Sequence, residues 1–74
     1  MDKLSAQQLR CLALVAEAET NEQIAARLSL GPQTVKTHLH AVYSHLGVQD
    51  AGNPRVAAAV MWIAQGLGQE GRGA

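Results

Sequence analysis

The chain is short of cysteine, of aromatic residues and of any excess of one charge, and each shortage removes a class of protein. Cys11 is the only cysteine, so no internal disulfide can form, and no Cys/His spacing matches a structural zinc site. No metal and no cofactor are expected, and a reducing compartment suits the lone thiol. Phenylalanine is absent and aromatics make up 3% of a chain that is 47% hydrophobic. An apolar content carried by Ala and Leu suits close-packed helices better than strands, which draw on β-branched and aromatic residues. No apolar stretch reaches the ~18 residues needed to span a bilayer, and Met1–Arg10 lacks a basic region followed by an apolar run. The expectation is a soluble, cytoplasmic chain with no membrane partner. Six Lys and Arg balance six Asp and Glu, so any case for a polyanionic partner must rest on where the charges sit. With 74 residues there is room for one small domain and one core.

What is present reads as four helices in an all-α domain. Ser5-Ala6-Gln7-Gln8 has the form of a capping box, with Leu4 and Leu9 at the hydrophobic staple positions. Leu9, Leu12, Ala13 and Ala16 then recur at helical spacing, which predicts a first helix from about Ser5 to Ala18. Thr20-Asn21-Glu22-Gln23 repeats the box and opens a short second helix with Ile24, Ala25 and Leu28 inward. Gly31-Pro32 starts a third, with glycine as N-cap and proline at the first helical position. On it Val35, Leu39, Val42 and Leu46 make one apolar stripe, while Gln33, Lys36, Thr37, His40, Tyr43 and Ser44 gather on another side. Gly47 is placed to end that helix with a positive φ. Asn53-Pro54 opens a fourth helix, to about Gln65, on which Val56, Val60, Ile63 and Leu67 form the stripe expected to pack inward. The domain is expected over residues 1–67, with 68–74 a flexible tail; the stretch Gly66–Ala74 holds four of the seven glycines.

Two short helices joined by a tight turn, the second with a uniform polar face, is the arrangement that presents a helix to a DNA major groove. Leu4-Ser5, Leu14-Val15-Ala16, Thr20-Asn21, Ile24-Ala25, Leu28, Thr34-Val35-Lys36-Thr37-His38-Leu39, Tyr43 and Leu46-Gly47-Val48 closely resemble the LuxR-type domain, also called the GerE or FixJ/NarL output domain. The resemblance implies a bacterial transcription regulator that binds double-stranded DNA, with the third helix as recognition helix. It implies base contacts from Lys36, Thr37, His40 and Gln33, and backbone contacts from Thr20, Asn21, Thr34 and Ser44. The fourth helix would pair two copies in a homodimer through Ala58, Met61 and Trp62, with another regulator or RNA polymerase as further partner. The competing reading of Trp62 is a core residue folded onto the first helix. With no sensing domain ahead of the motif, a chain that truly starts at Met1 would act as a stand-alone regulator.

Several positions depart from the resembled pattern. Gln8 stands where Glu is usual, Glu22 where a basic residue is common, Gly31 replaces a Ser or Thr cap, and Ser44 and His45 occupy positions that are often basic. The segment between Val48 and Gly66 is longer by about four residues. Fewer fixed cations mean fewer counterions released and weaker DNA binding. A protein–protein adaptor or dimerisation module on the same fold therefore stays open as the alternative. An enzyme does not: His38 and His40 point to nearly opposite sides of their helix, and His38 and His45 are separated by ~10 Å along its axis. Cys11 lies among apolar neighbours, which suits an inert thiol.

Overall fold

The computed structural model describes residues 4–64, which form four helices: α1 (Ala6–Ala16), α2 (Asn21–Leu28), α3 (Pro32–Leu46) and α4 (Pro54–Ala64). The tail over 68–74, Leu67 and the expected last residue of α4, Gln65, lie outside the described residues.

Each helix starts where local chemistry places it. Both capping boxes are closed: the Gln8 amide donates to Ser5 Oγ at 3.1 Å and the Ser5 amide to Gln8 Oε1 at 2.8 Å, and Gln23 and Thr20 exchange the same pair at 3.1 and 2.7 Å. Pro32 occupies the first turn of α3 behind Gly31, which offers no side-chain cap. Asn53 caps α4, its Oδ1 accepting from the Val56 amide at 3.2 Å.

The ends are set by left-handed residues. Gly47 has φ 73, and the amides of Gly47 and Val48 donate back to Ser44 and Tyr43 carbonyls at 3.1 and 3.0 Å. α1 stops two residues short of the expected Ala18, because Ala18 itself is left-handed, with φ 66. The amides of Glu17, Ala18 and Glu19 turn back onto the carbonyls of Leu14 and Val15, which reverses the chain in time for Thr20 to cap α2. Ser29, with φ 58, does the same after α2.

The core has two parts. Cys11 and Val15 of α1, Ile24 and Ala25 of α2, and Val35 and Leu39 of α3 make the first. Leu12, Val42 and Ala58 make the second, with Leu4, Leu46, Val48 and Trp62 packed against it. Tyr43 touches both, so it is half-buried rather than part of the free polar side that its periodicity suggests.

α4 docks on the face opposite to the expected one. Ala58 is fully buried, and Trp62 and Met61 are half-buried, while Val56, Val60 and Ile63 are 56%, 56% and 60% exposed. Ala58, at 0% exposure, is taken up by packing within the chain and is not available as a surface contact, while the half-buried Trp62 packs against the Leu12, Val42 and Ala58 cluster and keeps part of its surface exposed. The physical reason is shape: the small Ala58 lets α4 approach Leu12 and Val42 closely, and the Trp62 ring packs beside it against the same cluster.

Candidate nucleic-acid interface

α3 is held by its buried stripe of Val35, Leu39 and Val42, and everything on the opposite side is free. Gln33, Thr34, Lys36, Thr37, His40 and Ser44 are all exposed. At about 100° per residue they fan across an arc of about 160°. Among the described residues none of these side chains makes a hydrogen bond or ion pair within the protein, and α3 carries no carboxylate. A solvated, carboxylate-free face with amide, hydroxyl, imidazole and ammonium donors can approach a polyanion without internal bonds to break. Lys36 can donate to guanine O6 or N7, and the Thr37 methyl can meet a thymine methyl.

The start of α2 is more committed than its sequence suggests. The Thr20 hydroxyl accepts from the Gln23 amide, leaving its O–H to donate outward. Asn21 Oδ1 accepts from Arg55 Nη1 at 2.8 Å, leaving the Asn21 side-chain amide as donor. Glu22 is exposed in the first turn of α2, where the helix dipole favours a carboxylate and a nearby phosphate would not. The structure thus places Thr20 and Asn21 at one helix start, apart in sequence from the α3 group, with one acceptor of each already used.

Arg55 is the residue that motif reading missed. It sits in the first turn of α4, half-buried, and its guanidinium bonds Asn21 and the backbone carbonyl of Glu19 across more than thirty intervening positions. It also lies against the Tyr43 hydroxyl. Burial pushes the Tyr43 phenol above its usual range, and the neighbouring guanidinium offsets part of that rise. The available signal was its isolation: a lone cation near the start of an apolar helix needs a partner once the helix docks. Arg27 is likewise occupied, its Nε donating to Glu19 Oε1 at 2.9 Å. That hydrogen bond, reinforced by charge attraction, holds the Arg27 guanidinium above its usual range. The four described cations therefore reduce to one, Lys36, that is both unpaired and on the α3 face.

Beside this face, His40, Tyr43 and Ser44 of α3 with Gln49 and Pro54 border a crevice of about 380 Å³. A larger open groove of about 630 Å³ runs between the α1–α2 turn and α4, with Val15, Ala18, Arg55, Val56 and Ala59 among its walls. Among the described residues no helix is long and apolar enough to cross a membrane.

A short α2, a tight turn and a longer α3 with an open polar face define a helix-turn-helix domain of the DNA-binding class. Residues 2–62 match the family of bacterial regulatory proteins, luxR family. The chain belongs to that family. It is 39% identical over 57 residues to the transcriptional regulatory protein LiaR of Bacillus subtilis (strain 168), covering 77% of this chain and 27% of that protein. It is 42% identical over 50 residues to the probable transcriptional regulatory protein SgaR of Hyphomicrobium methylovorum, covering 68% of this chain and 24% of that protein. The chain thus spans about a quarter of the length of these relatives. No solved structure matches it.

Proposed function

We propose that this domain is the sequence-reading part of a bacterial transcription regulator, not an enzyme, and works on double-stranded DNA in the cytoplasm. α3 enters the major groove; Lys36, Thr37, His40 and Gln33 meet base edges, while Thr34, Ser44 and the outward donors of Thr20 and Asn21 meet phosphates. The observation that carries this reading is the exposed α3 face, free of carboxylates and of internal hydrogen bonds, on a domain whose relatives are named transcriptional regulators. Selection of bound duplexes from a random library at low salt tests it. An enriched motif that is lost in Lys36→Ala is the expected result. No enrichment, or identical enrichment by both proteins, overturns the assignment of α3.

The domain acts as a homodimer in this reading, through the exposed strip of Val56, Val60 and Ile63 rather than through the expected Ala58, Met61 and Trp62, of which the first is buried and the other two half-buried. Two copies joined through α4 would present two recognition helices to half-sites about one duplex turn apart. Sedimentation over a concentration series should show a dimer that Val60→Asp abolishes. A monomer at every concentration removes this part. The adaptor reading draws on the same strip, on Glu22 and on the neutral net charge; a stable dimer that enriches no DNA would favour it. Another regulator or RNA polymerase is the further partner in this reading.

A further inference from the structure

Resting on the DNA-binding reading above, we propose that His40 and His45 are proton-dependent DNA contacts, so that this domain holds duplex more tightly as pH falls through the imidazole range. The geometry that carries this is the distribution of charge around α3. Lys36 and His45 are nine positions apart, which sets them about 180° apart around the helix and about 13 Å apart along it. They mark the two edges of the exposed face, and His40 lies between them; both histidines are exposed. A helix in the major groove turns its centre to base edges and its flanks to the phosphates of the two strands. The edge at Lys36, whose ammonium also reaches toward base edges, already carries a fixed positive charge. The other, formed by Thr34, the half-buried His38 and His45, has no cation unless an imidazole takes a proton.

The other charges cannot supply it. On elements packed against α3, α1 carries Arg10, the α1–α2 turn Glu17 and Glu19, α2 Glu22 and Arg27, the α3–α4 loop Asp50, and α4 Arg55. Arg27 is bound to Glu19, Arg55 to Asn21 and the Glu19 carbonyl, and Arg10 to Gln7 at 3.4 Å. The groups bordering the His40 crevice are Tyr43, Ser44, Gln49 and Pro54, with no carboxylate to neutralise an imidazolium there. Against four described cations and four described carboxylates, protonating two exposed imidazoles takes the α3 face from one positive charge to three. Histidine is, in general, the side chain that switches charge near neutral pH.

Each phosphate neutralised adds about 0.9 to the magnitude of the slope of log K against log salt, and at about 0.1 M salt one such contact is worth roughly eight-fold in affinity. Anisotropy of a rhodamine-labelled duplex of mixed sequence, about two turns long, titrated at about pH 5.8 and about pH 7.5 across a salt series, reads both quantities. Affinity is expected to rise at least about five-fold at the lower pH, with a slope steeper by about one, the single flank contact that His45 adds. The variant His45→Gln should lose much of the ratio between its own affinities at the two pH values, and the double variant His40→Gln, His45→Gln most of it together with the steepening, each protein being compared with itself. Circular dichroism at both pH values verifies that each protein is folded. Equal affinity and slope at the two pH values, or a pH effect that survives in the double variant, overturns the proposal while leaving DNA binding intact. A folded protein that binds no duplex at either pH overturns the DNA-binding reading and this inference with it.

Discussion

Replacing Arg55 by methionine should loosen the whole domain, because among the described residues Arg55 is the side chain that hydrogen-bonds the start of α4 to the α1–α2 turn and the start of α2. Methionine keeps the apolar stem and removes the guanidinium, so the change isolates the two hydrogen bonds to Asn21 Oδ1 and the Glu19 carbonyl. Hydrogen bonds from charged groups are worth roughly 1.5–3 kcal/mol each when buried. Arg55 is half-buried, and water can rescue part of both acceptors, so about 2 kcal/mol for the pair is the appropriate scale. The cation also sits at the unfavourable, positive end of the α4 dipole, and its removal returns roughly 0.5 kcal/mol. The net loss is about 1.5 kcal/mol, against a total stability of about 4–11 kcal/mol at this chain length. For a domain of this size that lowers Tm by about 6–12 °C. A second, independent readout comes from Tyr43, the only tyrosine in the chain. Burial raises its phenol and Arg55 opposes the rise, so its ultraviolet titration should move further up in Arg55→Met. The sign for stability follows: a raised folded-state value gives a contribution present below the ordinary tyrosine range near pH 10 and lost as pH climbs through the raised value. Unchanged Tm together with an unmoved Tyr43 titration would refute the clamp.

Ala18→Gly should stabilise the domain by about 0.5–1 kcal/mol, since relief of a left-handed alanine, roughly 1–2 kcal/mol, outweighs the added freedom of glycine in the unfolded chain; urea unfolding that shows a loss would contradict the positive φ. Ala58→Leu should cost about 1–3 kcal/mol by overpacking against Leu12 and Val42, whereas Val60→Ser on the exposed side should stay within about 0.5 kcal/mol when the monomer is unfolded at low protein concentration. The same unfolding curves decide between the two faces of α4, and the reverse ranking would restore the expected face. Cys11 is buried and burial raises its thiol above the usual range, so a thiol-specific disulfide reagent should label it only as the domain opens. Immediate stoichiometric labelling in native buffer would place it at the surface.

The parts of this fold that are readable from sequence are those fixed within one or two turns of chain. Ser5 with Gln8, Thr20 with Gln23, Gly31-Pro32, Gly47 and Asn53-Pro54 each satisfy or terminate backbone groups beside themselves, and the structure finds every one in that role. The open face of α3 is readable for a related reason: a single apolar stripe leaves one side for the core, and Lys36, Thr37, His40 and Ser44 must then face out. α4 offers no such contrast. Its sequence PRVAAAVMWIA is apolar on both sides, so periodicity yields two candidate faces, and the choice falls to the shape of the cleft that Leu12 and Val42 leave for Ala58. Arg55 escapes notice because its partners lie 34 and 36 positions away. Ala18 does so because a left-handed alanine has no sequence mark of its own.

The two halves of the core each hold one natural reporter. Trp62, the only tryptophan, packs on Leu12, Val42 and Ala58, and Cys11, the only cysteine, lies with Ile24 and Val35. Indole fluorescence therefore follows the α1–α4 seam, and thiol accessibility follows the α1–α2–α3 seam, without a label or an engineered residue in either. Denaturation followed by both signals asks whether α4 peels away before the helix-turn-helix unit gives up its own packing. Coincident curves would mean that the two seams melt as one cooperative unit. A fluorescence change that precedes thiol exposure would mean that α4 is a detachable brace, and that the reading helix can stay ordered while its brace exchanges one neighbour for another.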